Sequence, residues 1–162
     1  MKRFLKIALV AHDARKQELI EWVKHNAGTL SKHQLFATGT TAKLLSNVQY
    51  EIREYYADGF IDDTRFLQVT PLLSGPLGGD QQIGAMIAQG EIDVLIFFCD
   101  NLITQGHQQD VSALSRLASL YNIGFATNRT TADMLITSPL IGDPNYEIKT
   151  PTAIETYKNR PL

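Results

Sequence analysis

The sequence of 162 residues has one cysteine, Cys99, and one tryptophan. A lone thiol closes no internal disulfide and builds no zinc site, so a reducing compartment is expected. Basic excess is missing too: 15 Lys and Arg stand against 17 Asp and Glu, a formal net charge of −2. A nucleic-acid binder needs a basic stripe to neutralise phosphates, so no nucleic-acid partner is expected. Nor is there a long apolar run. The longest, Val94 to Cys99, falls far short of the ~20 residues that cross a bilayer, and no membrane partner is expected. Met1-Lys2-Arg3 followed by Phe4 to Ala11 has the outline of a short signal peptide. His12-Asp13 follows without a small-residue cleavage site, so a mature cytoplasmic protein is expected. What is present is a globular balance, 44% apolar and 20% charged, sized for a single domain spanning residues 1–162.

Strand and helix patterns alternate five times. The apolar, β-branched run Phe4–Val10 gives way after Asp13 to helical spacing, with Leu19, Ile20, Trp22 and Val23 inward. Asp13 is placed to cap that helix and Gly28 to end it. Gln34–Ala37 reads as a second strand, leading into a short helix at Ala42–Leu45. A third, Gln68–Leu73, precedes a helix that starts near Gln81 and stops at Gly90. Ile92–Phe98 is nearly all apolar, as in a central parallel strand covered on both faces. After the polar loop Asp100–Gln109 come a helix with Leu114 and Ala118 inward, a fifth strand at Ile123–Ala126 and a fifth helix at Thr130–Ile136.

This rhythm predicts an α/β fold: one domain, a mostly parallel five-stranded sheet, helices on both faces in three layers. Two stretches fall outside it. Tyr50–Phe66 carries five aromatics, Tyr50, Tyr55, Tyr56, Phe60 and Phe66. With Asp58-Gly59 as a turn it could be a hairpin, an oligomer contact or a lid. The tail, residues 139–162, holds four of the six prolines and is expected to be mostly extended.

Ligands in open parallel sheets bind at the carboxyl ends of the strands, so the polar segments there should converge. Ser74-Gly75-Pro76-Leu77-Gly78-Gly79-Asp80 lies between a strand and a helix. Its glycines let backbone approach a ligand, and the helix start offers N–H groups and a positive dipole end to an anion. The alternative is a tight turn with Asp80 as a helix cap. Thr38-Gly39-Thr40-Thr41 offers hydroxyls and a glycine to phosphate oxygens, although threonine also caps helices. His12, Asp13 and Lys16 surround the first helix start, where a lysine opposes the dipole unless an anion lies nearby. Asp80, Asp100, Asp110 and His107 could suggest a hard-metal site, but nothing fixes ligand spacing and no metal is expected. Cys99 reads as a small buried hydrophobe.

Taken together, the stretches Ala8–Asp13 with Lys16, Ala37–Thr41, Ser74–Gln82, Ile92–Phe98, Asp100, His107, Asp110 and Ala126–Asn128 closely resemble the methylglyoxal synthase family. The resemblance implies a carbon–oxygen lyase that converts dihydroxyacetone phosphate to methylglyoxal and inorganic phosphate without metal or organic cofactor. It implies a cytoplasmic homohexamer inhibited by phosphate. By position, Asp80 is the catalytic acid/base, with His107 and Asp110 also in the catalytic set. Lys16, Thr38, Gly39, Thr40, Thr41, Ser74 and Gly75 hold the phosphate, and His12 and His107 contact the substrate. Asp13 and Asp100 support the site, and Arg160 reaches a neighbouring subunit's site. The chain departs from the family at Cys99-Asp100-Asn101 and Gly106–Asp110, where prolines are lost, and in the longer Tyr50–Phe66 excursion. A competing reading is a non-catalytic regulatory domain of the same fold that binds small phosphorylated effectors.

Overall fold

The computed structural model of the chain describes residues 4–102 and 108–161. The sheet is built from β1 (Lys6–Ala11), β2 (Gln34–Thr38), β5 (Val69–Leu72), β6 (Val94–Phe98) and β7 (Gly124–Ala126), in the order β5-β2-β1-β6-β7. Every neighbouring pair is parallel, with Ile7 opposite Leu35 on one side and Val94 on the other. The predicted class is the one observed.

The apolar runs of β1 and β6 are continuous because these central strands have two buried faces. In β1, Ile7, Leu9 and Ala11 enter one apolar cluster while Ala8 and Val10 enter the other. β6 divides likewise, Val94, Ile96 and Phe98 against Leu95 and Phe97. The first cluster is closed by α1 (Lys16–His25), α3 (Gly39–Ser46) and α6 (Arg129–Thr137), through Leu19, Trp22, Leu45 and Ile136. The second is closed by α4 (Gly79–Ala88) and α5 (Gln108–Leu120), through Ile83, Ile87 and Leu114. Burying each such side chain contributes about 1.5–3 kcal/mol. Trp22 is fully buried, and its indole N–H donates to Asp133 Oδ1 at 2.9 Å, tying α1 to α6.

From β1 the chain steps outward through β2 to β5, then returns to the far side of β1 for β6 and β7. Between β1 and β6 the direction of winding reverses, and the carboxyl ends of the strands splay around a crevice.

Several local expectations are corrected. Asp13 does not cap α1: a 3-10 turn over Asp13–Arg15 intervenes, and the Asp13 carboxylate pairs with Lys16 instead. Gly28 does not end α1, which stops at His25. Asn26 holds that end by donating its amide to the Trp22 carbonyl at 2.8 Å, and Gly28 lies within the short α2 (Ala27–Leu30). Gly90 does follow the end of α4, with a φ of 74° that suits glycine. The tail is not simply extended. It opens with a 3-10 turn at Pro139–Gly142 and closes with α7 (Thr152–Lys158), which starts after Pro151 and buries Ile154. A proline leaves the following residues free to turn helical, and Glu155 and Lys158 pair one turn apart.

The aromatic excursion is a hairpin, β3 (Gln49–Tyr56) and β4 (Gly59–Phe66), joined through Ala57-Asp58 and forming a separate two-stranded sheet. Among the described residues, no helix is long and apolar enough to cross a membrane.

Cys99 closes β6 as the small buried group expected of it, its thiol donating to the Phe97 carbonyl. Burial pushes its pKa up to about 11. At pH 8 the thiolate fraction is then on the order of 10⁻³, against about a quarter for a free cysteine. Native protein should therefore react with iodoacetamide about 100-fold more slowly than urea-unfolded protein, as mass spectrometry over time would record. Equal rates would show the thiol to be open.

Candidate active site

Three chain segments leave the sheet at neighbouring carboxyl ends and close one cavity of about 300 Å³. After β1 come His12, Asp13 and Lys16. After β2 come Thr38, Gly39, Thr40 and Thr41, and after β5 come Ser74, Gly75 and, at the start of α4, Asp80. Residues scattered over almost seventy positions thus face one space, as the sequence pattern requires. Val10 and Phe97 supply its apolar floor.

Two glycines make this convergence possible. A Cβ on Gly79 would stand 2.0 Å from the Leu73 carbonyl oxygen and 2.9 Å from Thr38 Cγ2, so only glycine lets α4 begin this close to the end of β5. Gly39 has a φ of 53°, and a Cβ there would meet Ser74 Cβ at 3.0 Å. The β2 and β5 loops therefore touch through backbone.

Asp80 is not a helix cap. The capping position of α4 is Gly78, in left-handed conformation, and Asp80 sits in the first turn, 7% exposed. Its two carboxylate oxygens lie 3.8 and 3.9 Å from where a Cβ of Gly75 would stand. The carboxylate thus faces the Ser74-Gly75 loop inside the cavity.

The helices that start around the cavity, α1, α3 and α4, have no side-chain capping bond at their first residues, whereas α6 is capped by Asn128, which accepts from Thr131 N–H at 2.9 Å. Uncapped starts carry positive dipole ends and N–H groups able to bind an anion. Lys16 adds a full positive charge. It pairs with Asp13 at 2.7 Å, but that carboxylate is 94% exposed. Exposed pairs contribute only about 0–1 kcal/mol, so an incoming anion can compete for the ammonium.

His12 is 8% exposed and spans the winding reversal: its Nδ1 accepts the Asp100 backbone N–H at 2.9 Å, joining the ends of β1 and β6. With Nδ1 accepting, a neutral ring carries its proton on Nε2. That buried Nε2 has no hydrogen-bond partner among the described residues. An unsatisfied buried donor costs about 1–3 kcal/mol, which an acceptor beside the cavity would offset. Phe97 meets the imidazole edge-on, with ring centroids 5.2 Å apart. Asp100 is buried behind it, its carboxylate accepting Leu102 N–H at 3.1 Å. It is the Asp100 backbone N–H, not its carboxylate, that meets His12.

Asp110 lies in the first turn of α5 and accepts the Gln81 amide at 3.2 Å. With Asp80, Gln81 and Gly84 it lines a second cavity of about 370 Å³, and Asp80 belongs to both spaces. His107 lies outside the described residues. Arg160 follows α7, its guanidinium 3.6 Å above the Tyr157 ring, and is not among the residues lining either cavity. Among the described residues no group of three or more His, Cys, Asp and Glu comes together as a metal site would require.

Sequence reasoning assigned no role to Gln81 or Gln82. Gln82 accepts the Leu73 N–H through its side-chain oxygen at 2.8 Å. The residue before Ser74 is thereby fixed to the helix that carries Asp80. A glutamine one turn into a helix gives no signal of this; only the fold brings it to Leu73.

Such a molecule is an open parallel α/β protein with a cavity made of loops and helix starts, and a buried carboxylate beside it. A family model described as MGS-like domain matches residues 18–127. Methylglyoxal synthase of Proteus mirabilis is 52% identical over 147 residues, covering 87% of this chain and 86% of the relative. That of Coxiella burnetii is 47% identical, covering 96% of each. A crystal structure of methylglyoxal synthase from Elizabethkingia anophelis superposes with a TM-score of 0.79 at 38% identity, covering 100% of this chain and 97% of that one. The chain belongs to the methylglyoxal synthase family.

Because α4 can start only where Gly79 has no side chain, Gly79→Ala should lose at least about 3 kcal/mol of stability in urea unfolding. Gly90→Ala, in open space but at positive φ, should lose only about 1–2 kcal/mol. Equal losses would mean that the contact with Leu73 does not govern the start of α4.

Proposed function

We propose that the chain converts dihydroxyacetone phosphate to methylglyoxal and inorganic phosphate, with Asp80 as the base. The observation that carries this reading is a buried carboxylate turned toward the Ser74-Gly75 loop in a cavity ringed by uncapped helix starts. A module that only senses phosphorylated effectors needs the cradle. It has no use for a buried acid inside it.

The phosphate rests among Thr38, Gly39, Thr40, Thr41, Ser74, Gly75 and Lys16, where dipole ends and one ammonium meet its charge. Asp80 then removes a C–H proton beside the ketone. The electron pair left behind forms an enediolate, stabilised by donors placed at its oxygen. His12 supplies one such donor through Nε2, and His107 is assigned a second. Preorganised donors of this kind are each worth about 3–4 kcal/mol. The enediolate electrons next break the bond between carbon and the ester oxygen. Phosphate leaves with that electron pair and takes up the proton of the substrate's C–OH group, and the enolate left behind is protonated on its terminal carbon by Asp80, giving methylglyoxal and hydrogen phosphate. An isomerase prevents this loss by keeping the ester bond near the enediolate plane. Here the cradle holds it out of plane, overlapping the π system. A phosphate dianion beside Asp80 raises the carboxylate's basicity, since like charge disfavours ionisation.

The cavity lining holds one lysine against two carboxylates, Asp13 and Asp80. A dianion there calls for further positive charge, which gives Arg160 of a neighbouring subunit its role in a homohexamer. Asp110, held by Gln81, steadies the approach from α5. Product phosphate competes for the same cradle and inhibits. The buried, protonated Cys99 suits a reducing cytoplasm.

Asp80→Asn should lower kcat by about 10³-fold or more, while calorimetry still detects inorganic phosphate binding. Near-normal turnover would place the base elsewhere. Lys16→Ala should raise the inhibition constant for phosphate about tenfold together with KM. Unchanged phosphate inhibition would remove Lys16 from the cradle.

A further inference from the structure

The reaction makes no use of the β3–β4 hairpin, and its geometry within a single chain is unfinished. All eight residues of β4 are exposed, Phe60, Ile61 and Phe66 among them. A two-stranded hairpin alone in water is marginally stable at best; three or more strands hold together better.

The register shows which edge is open. Tyr56 pairs with Gly59 across the two-residue loop, and the pair flanking such a loop exchanges both backbone hydrogen bonds. Alternation then turns Gly59, Ile61, Asp63 and Arg65 toward β3. Phe60, Asp62, Thr64 and Phe66 direct their N–H and C=O groups outward.

Among the ways to pair that edge with itself, one gains opposite-charge pairs from the charges on β4. Antiparallel pairing of two β4 strands must be centred on a single residue, because outward-bonding positions have to meet each other. Centred on Asp62 or Asp63 it sets like carboxylates face to face, and centred on Arg65 it opposes two guanidinium groups. Centred on Thr64, it places Asp63 opposite Arg65 of the second copy, twice, in the closer, non-hydrogen-bonded pairs. Asp62 is already opposite Arg53 within the hairpin. Within one chain Asp63 and Arg65 sit 3.4 Å apart, so both charges are in position to be shared across a two-fold axis. An edge guarded against pairing carries charge of one sign; this one is complementary to itself.

We propose that β4 pairs antiparallel with β4 of a second copy of this chain, centred on Thr64, making a continuous four-stranded sheet across a two-fold axis. This contact is independent of the active-site reading and adds a specific surface to the expected homo-oligomer.

Central residues of such a pair have Cα atoms about 5.5 Å apart, within disulfide reach. Thr64→Cys should therefore form a covalent dimer under mild oxidation, seen on a non-reducing gel at several times the yield of Tyr55→Cys on the other strand. Adding Asp63→Arg to Thr64→Cys should cut that yield several-fold, and adding Arg65→Asp as well should restore it. Circular dichroism of each variant confirms the fold, and cross-linking reads the contact whether or not the protein turns over dihydroxyacetone phosphate. A Thr64→Cys yield no higher than that of Tyr55→Cys overturns the proposal. So does failure of the double charge swap to restore cross-linking in folded protein, which would assign the edge to a partner of different sequence.

Discussion

The site depends on one close approach: the first turn of α4 lies against the backbone of Leu73. Gly79 permits it by having no side chain, since any Cβ there would fall 2.0 Å from the Leu73 oxygen. Gln82 reinforces it by accepting the Leu73 N–H. Asp80 lies between these two anchors. Its carboxylate is delivered to the Ser74-Gly75 loop by backbone geometry, without a long flexible side chain. A general base must stand within hydrogen-bond reach of its proton, and a short acid on a pinned helix meets that demand with little conformational freedom to lose.

The second feature is how an acidic chain, net −2, attracts a phosphorylated substrate. Overall charge does not do it. On the proposed reading the field is local, built from helix starts left uncapped around the cavity and from Lys16 in its loose pairing with Asp13. Backbone dipoles need no reorganisation and suffer little competition from water inside a cavity. His12 fits the same scheme. Its tautomer is set by a backbone N–H rather than a carboxylate, which leaves a donor without adding another negative charge beside Asp80.

The sheet was legible in the sequence because strands with two buried faces must be apolar throughout, and Ile7–Ala11 and Val94–Cys99 are so. The cavity was legible for a topological reason: polar segments after parallel strands have only one end of the sheet to occupy. Glycine carried information where a Cβ would clash, at Gly39 and Gly79, and misled at Gly28, where nothing lies near. What escaped reading depends on partners far apart in the chain. The acceptor role of His12 rests on a backbone N–H 88 residues away. Gln81 and Gln82 look like ordinary helix residues until α5 and β5 are placed beside them. In the tail, four prolines argued for extended chain, while the short helix after Pro151 is held by one buried residue, Ile154.

The chain thus combines a rigid, inward-facing chemistry with an outward edge that takes no part in it. Pinned loops and buried polar groups fix the first, while unspent backbone hydrogen bonds mark the second. The central claim, that the carboxylate beside the cradle drives loss of phosphate from a three-carbon keto phosphate, is tested most directly by product stoichiometry. Purified protein treated with EDTA is incubated with dihydroxyacetone phosphate, and methylglyoxal and inorganic phosphate are quantified together over time. The account requires both to appear at equal rates, undiminished by the chelator. Phosphate released without methylglyoxal, or no product while dihydroxyacetone phosphate binds, would contradict it.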